Sequence, residues 1–188
     1  MSKAGSFFRS FFKLIFVIGG VAAAVIALLC MLAPFYSLSY TLNGEVLLGI
    51  DLTGFALAFN KPFTVSGSIL DPSEVGSLTE GSIPTIVEMV LIIVGGVMIL
   101  LNLFPWKFGK ITAILGGLLL VAAAIMALLT IEMNSELKDA QDAFDQVVGS
   151  VPVGKLSSGL GAGAISTGIF GFASAACGIL SGTLNPKH

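Results

Sequence analysis

Charge is scarce in this chain, and histidine and cysteine are nearly missing. Lys and Arg together number 9 and Asp and Glu 11 among 188 residues, for a net charge of −2. A nucleic-acid surface announces itself as a basic patch or stripe, so a nucleic-acid partner is excluded. The one histidine is His188, the final residue. No imidazole is left within the fold for a Ser-His-Asp triad, a zinc site or a haem ligand, so no enzyme activity, cofactor or metal is expected. The two cysteines, Cys30 and Cys177, both lie in apolar runs. At about 1.5 Å per helical residue they fall ~10 Å apart in depth, whereas a disulfide needs Cα atoms within about 7 Å. Both read as small apolar side chains.

Apolar residues are what the chain has in excess. They make up 55% of it, and mean hydropathy is +1.00, far above an ordinary water-soluble domain. Four runs reach the ~20 residues needed to cross a ~30 Å hydrocarbon core: 14–35, 84–104, 108–131 and 159–184. They cover about half of the chain, which makes residues 1–188 a single four-span membrane domain, a helical bundle with the lipid bilayer as its first partner. Glu88 is the only acidic residue inside any run, and Lys110 stands at the edge of the third. The first run is too long for a signal-peptide core and ends in Ala33-Pro34-Phe35 without a small-x-small cleavage pattern, so it reads as a retained helix.

Orientation follows from where the cations fall. Lys3, Arg9, Lys13, Lys107, Lys110 and Lys187 lie on one side of the four runs, and Lys61, Lys138 and Lys155 on the other. The first side is expected to be cytoplasmic, with both termini there, in a plasma membrane or bacterial inner membrane. Apart from Glu88, every acidic residue falls in the two loops assigned outside. Phe104, Trp106 and Phe108 mark the inner interface, and Phe35, Tyr36 and Tyr40 the outer one. Residues 1–13 form a cytoplasmic interfacial segment in which Phe7, Phe8, Phe11 and Phe12 recur at helical spacing beside Arg9 and Lys13.

The two outer segments, 36–83 and 132–158, have the patterns of folded structure. From Tyr36 to Leu42 apolar and hydroxyl residues alternate strictly, the period of a half-buried strand. Asn43-Gly44 then predicts a type I′ hairpin turn, with 45–50 returning as the partner. Phe55-Leu57-Phe59 and Phe63-Val65 alternate in the same way, so a small antiparallel sheet of three or four strands is expected. In the second segment Met133, Leu137, Ala140, Phe144, Val147 and Val148 gather on one helical face, opposite Glu132, Glu136, Lys138, Asp139, Asp142 and Asp145. This predicts a helix that prolongs the third span outward and packs Leu137 and Phe144 against the sheet as an outside cap. The acidic face reads as solvated rather than as a metal site.

Four spans, a β-rich first outer loop and a third helix that extends outward resemble, in topology, the claudin-like tetraspan group. That family's first loop carries a Gly-Leu-Trp pattern and a cysteine pair, and residues 36–83 contain neither Trp nor Cys. What the resemblance implies is therefore architecture and not a sealing or pore function.

Gly149 to Lys155 begins like a P-loop, but Leu156 stands where the magnesium-binding hydroxyl belongs. The glycines of the fourth span are more informative. Gly159, Gly163, Gly168, Gly171, Gly178 and Gly182 belong to a stripe of small residues at four-residue spacing, the pattern that lets helix backbones approach in lipid, either inside one bundle or against another subunit. Glu88 is the one residue able to bind an ion or proton within a span. The functional expectation is a non-enzymatic tetraspan protein acting by lateral association, as an accessory or structural subunit joined to another membrane protein or to its own copies. The alternative is an oligomeric channel or transporter subunit.

Overall fold

A computed structural model describes residues 3–61, 64–66, 81–104, 108–148 and 154–184. It is mainly helical, with four helices long and apolar enough to cross a membrane and a small antiparallel sheet. The order is α1 (Lys3–Cys30), β1 (Pro34–Leu42), β2 (Glu45–Thr53), α2 (Gly54–Phe59), β3 (Thr64–Ser66), α3 (Ile83–Leu101), α4 (Gly109–Leu128), α5 (Thr130–Met133), α6 (Ser135–Val148), β4 (Lys155–Leu160) and α7 (Ala162–Thr183). The chain divides into two compact units, one of residues 1–29, 87–125 and 167–188 and the other of residues 30–86 and 126–166.

The first unit is a four-helix body in which the backbones lie close together. A Cβ added at Gly95 of α3 would sit 2.9 Å from the carbonyl oxygen of Gly116 on α4, and one added at Gly116 would sit 2.8 Å from that of Gly95. Where apolar solvent offers helices no hydrophobic reward for packing, such contact supplies dispersion attraction instead. Hydroxyls add to it: Ser174 Oγ on α7 donates to the Gly20 carbonyl on α1 at 2.6 Å, and Thr167 Oγ1 to that of Ala27 at 3.2 Å. At the α1 end of this unit, Phe7, Phe8, Phe11 and Phe12 are exposed, and the Phe7 and Phe11 rings stack. These residues continue α1 without a break, so residues 3–13 of the segment expected at the interface are the first part of one 28-residue helix, about 42 Å long.

The second unit contains the sheet, in the order β3-β2-β1-β4, with three strands of six to nine residues and a three-residue edge strand. The hairpin forms where it is expected. Asn43 and Gly44 both have positive φ, 52° and 87°, the geometry that matches strand twist across a two-residue turn. Tyr36 and Leu38 are buried, and Ser37 Oγ donates to Asp51 Oδ1 at 2.7 Å on the partner strand.

Three expectations are corrected in this unit. Residues 54–59 are a helical turn and not a strand. Thr53 Oγ1 accepts from the Ala56 N–H at 3.1 Å, and Asn60 closes the turn in the left-handed region at φ 48°, as N- and C-caps do. The Phe55 and Phe59 rings stack at 6.1 Å; over five residues a period of two is also an i, i+4 helical pair, and the caps decide between them. Phe63 lies outside the described residues.

The third span does not run on unbroken. It ends at Leu128, and α6 starts only after Asn134, whose backbone is extended at φ −111° and ψ 102°. Thr130 Oγ1 donates to the Ala127 carbonyl at 2.8 Å and Asn134 Nδ2 to that of Thr130 at 2.6 Å. Side chains that bond the local backbone in this way compete with helix continuation. The break takes Met133 out of line with Leu137: Met133 is exposed and Leu137 buried.

The fourth span starts at Ala162 rather than at residue 159. Gly159 and Leu160 belong to β4, opposite Ser37 and Tyr36 of β1. A Cβ on Gly161 would lie 2.1 Å from the Pro34 carbonyl oxygen, and the Gly161 N–H donates to Phe35 O at 2.8 Å. Strand and helix can join there only through glycine.

Candidate functional site: a layered polar seam between two helices

In the first unit α3 and α7 face each other in register. Asn102 Nδ2 donates to Ser181 Oγ at 3.1 Å across a sequence separation of 79 residues. The Ile99 side chain meets Gly178, where an added Cβ would lie 2.7 Å from it, and this pair has the same separation. Both pairs advance in the same direction, so the two helices run parallel. Glu88, Ile92 and Gly95 on α3 and Thr167, Gly171 and Ser174 on α7 stand at the same spacing, with Gly95 and Gly171 against α4 and Thr167 and Ser174 bonded to α1. All ten residues are buried. Their spacing of four and three along each helix is the repeat that keeps one face toward a partner.

Both helices also pack on α4. Gly171 and Gly182 of α7 rest on Ala124 and Ile114 of α4, while Gly116 of α4 rests on Met98 of α3.

The composition of the layers is ordered. Ile99 fills the space above Gly178, and the Asn102–Ser181 pair lies one turn beyond it. At the Asn102–Ser181 pair, Ser181 Oγ donates to the Gly178 carbonyl at 2.8 Å and accepts from Asn102. At the other end Thr167 spends its hydrogen on Ala27 O. Glu88 is 1% exposed, and its Oε1 has no hydrogen-bond partner among the described residues. An orphaned oxygen on a fully buried carboxyl is rare in a folded chain and calls for a partner of some kind.

The other residues singled out in the sequence fall as follows. Gly171, Gly178 and Gly182 are occupied by contacts within the chain, and Gly168 is buried. Gly163, in the second unit, backs onto the Ala33 carbonyl, where an added Cβ would stand 2.6 Å from the oxygen. Gly159 is a strand residue with open space around it. Leu137 lines a cleft of about 210 Å³ in the second unit together with Leu57, Ser82 and Asn134, where Ser82 Oγ donates to Asn134 Oδ1. The side chain of Phe144, like Trp106 and Lys107, lies outside the described residues. Glu136, Asp139 and Asp142 are exposed, and both cysteines are free thiols.

What sequence reasoning missed is the pairing. Asn102 and Ser181 draw no notice at the ends of two apolar runs. A signal was present in the equal spacing of 99, 102 and of 178, 181, legible only once the two helices are known to face each other. No protein-family model matches the chain, and no curated protein matches it significantly.

Proposed function

We propose that this chain is a non-enzymatic four-span membrane subunit that acts by lateral association, with its termini on the cytoplasmic side and its sheet-bearing unit outside. The observation that carries the reading is an apolar groove of about 200 Å³ on the helical unit, between α1 and α3. Ala24 and Gly96 form its floor, and Val25, Leu28, Ile93 and Val97 its walls. Small residues flanked by aliphatic ridges are what a further helix packs against in lipid, where close approach rather than hydrophobicity drives association. The small-residue stripe of α7 is used within the chain, so association through this groove is independent of it.

Native mass measurement after extraction in mild detergent tests the reading. The wild-type chain is expected in complexes of more than one subunit, and Val97→Trp, which fills the groove from its exposed wall, is expected to shift the population toward monomer. A wild-type protein that is strictly monomeric and retains no partner would overturn it. The second reading, an oligomeric channel or transporter subunit, is favoured by one observation, the buried carboxyl of Glu88 with its unpartnered oxygen.

A further inference from the structure

We propose that the first turns of α1, residues 3–13, are a docking element for anionic phospholipid headgroups, with Phe7, Phe8, Phe11 and Phe12 seated at the acyl boundary and Arg9 and Lys13 on lipid phosphates. This rests on the four-span reading and is independent of the groove between α1 and α3.

Helix lengths locate the segment. Ser174 Oγ bonds the Gly20 carbonyl and Thr167 Oγ1 that of Ala27, so α1 and α7 run antiparallel. Gly20 also meets the side chains of Cys177 and Ile99. Beyond that contact α7 runs only from Cys177 to Thr183 and α3 from Ile99 to Leu101, whereas α1 runs from Gly20 back to Lys3. At about 1.5 Å per residue, α1 continues roughly 16 Å past the end of α7. Helix α4 stops at the same level, since it starts at Gly109 and the Lys110 carbonyl stands against Gly182. Helices α3, α4 and α7 have 19, 20 and 22 residues, lengths of about 30 Å that match the hydrocarbon core. The part of α1 beyond their ends therefore emerges into the headgroup layer, which adds roughly 5–7 Å on each side.

The segment is two-faced. Phe7 and Phe11, like Phe8 and Phe12, stand four residues apart and are neighbours on the helix surface, while Arg9 and Lys13 form a third such pair on the opposite side. The four rings are 47–68% exposed. Rings on one face and cations on the other are the pattern of a helix seated at a lipid interface.

Charge selects the occupant. The cations of the helical unit are Lys3, Arg9, Lys13, Lys107, Lys110 and Lys187, and its only acid is Glu88. Glu88 lies near the opposite end of α3, roughly 20 Å along that helix from Leu101, so this unit offers Arg9 and Lys13 no carboxylate. A second copy of the segment would bring the same cations and no acid. An anionic leaflet supplies the missing charge at the depth where phenyl rings leave water, and each Lys or Arg held near it strengthens attachment.

The test compares the full-length protein in vesicles of phosphatidylcholine alone and of phosphatidylcholine with phosphatidylglycerol, with hydrogen exchange read by peptide. Exchange over 3–13 is expected to be on the order of tenfold slower with phosphatidylglycerol, and to return to the phosphatidylcholine rate in about 1 M NaCl, which screens charges beyond ~3 Å. Residues 87–101 should exchange equally in both. Arg9→Gln combined with Lys13→Gln should abolish the difference, and Phe7→Ser combined with Phe11→Ser should reduce it. Equal exchange in the two lipids overturns the proposal, and so does a difference that survives in the double Gln variant. Protection that grows with the protein-to-lipid ratio in phosphatidylcholine alone would assign the face to a second copy and overturns it too. A chain that fails to co-float with either vesicle would overturn the four-span reading as well, which separates the two failures.

Discussion

The two units of this protein satisfy their polar groups by different means. In the sheet unit the backbone is paired strand to strand, and side chains act as caps and hairpin partners, as Thr53 and Asn43 do. In the helical unit the backbone is already paired within each helix, and the side-chain hydroxyls of Ser174 and Thr167 reach across to carbonyls of a neighbouring helix. Glycine differs in the same way. Gly44 is needed for its positive φ, whereas Gly95 and Gly116 are needed because a neighbouring backbone occupies the place of a Cβ. A substitution in one unit should therefore fail for a reason that does not apply in the other.

The sharpest separation is expected from Gly161→Ala. With a Cβ 2.1 Å from the Pro34 carbonyl oxygen, β1 and β4 cannot keep their junction, and neither atom is the movable end of a side chain. Hydrogen exchange should rise strongly over 34–42 and 155–160, while 87–101 and 167–183 stay protected. Equal loss in both sets would show that the two units do not fold separately. A smaller effect, confined to the helical unit, is expected from Gly116→Ala, since the new methyl meets Gly95 O at 2.8 Å and Met98 Cβ at 2.9 Å. Overpacking of this kind costs about 1–3 kcal/mol, to be read as a lower thermal midpoint in detergent with the exchange of 34–53 unchanged.

The smallest effect concerns the ion pair of Lys138 and Glu132 at 2.6 Å. The hydrogen bond to Glu132, and next its charge, hold the Lys138 ammonium above its ordinary value of 10.5, with Asp142 and Asp139 adding to the shift. A cation stabilised in the folded state contributes below its unfolded pKa and ceases to contribute as pH rises through the folded one, so any dependence lies above about pH 10. Both side chains are exposed, where such pairs contribute little. Lys138→Met should leave the thermal midpoint at neutral pH unchanged, and a clear drop would show that this pair holds α6 in place.

Much of the fold was legible because its signals are local. Hydrocarbon thickness selects apolar runs by length alone, and four runs stand out at 14–35, 84–104, 108–131 and 159–184. The Asn43-Gly44 hairpin was legible for the same reason, since the turn's two positive φ values are a property of those two residues. The helix at Gly54–Phe59 was not, because a two-residue period over five positions fits both a strand and a helical turn, and the decision rests with the caps at Thr53 and Asn60. Strand β4 was hidden beside the fourth apolar run: Gly159 and Leu160 are apolar enough to extend a span, and only pairing with β1 removes them from it. The break at Asn134 had no periodic signature, as Leu137 keeps its helical spacing from Met133 while their burial differs.

The sequence by itself determined that this is a chain with four helices suited to a bilayer and one acidic residue among them, since hydrophobic length and composition are additive along a chain. Tertiary structure alone decided which residues share a layer. The pairing of Asn102 with Ser181 depends on the direction, rotation and offset of two helices far apart in sequence. Those three quantities are set by how closely Gly116, Gly171 and Gly182 let the backbones approach, which is a property of the assembled helices and of no single segment.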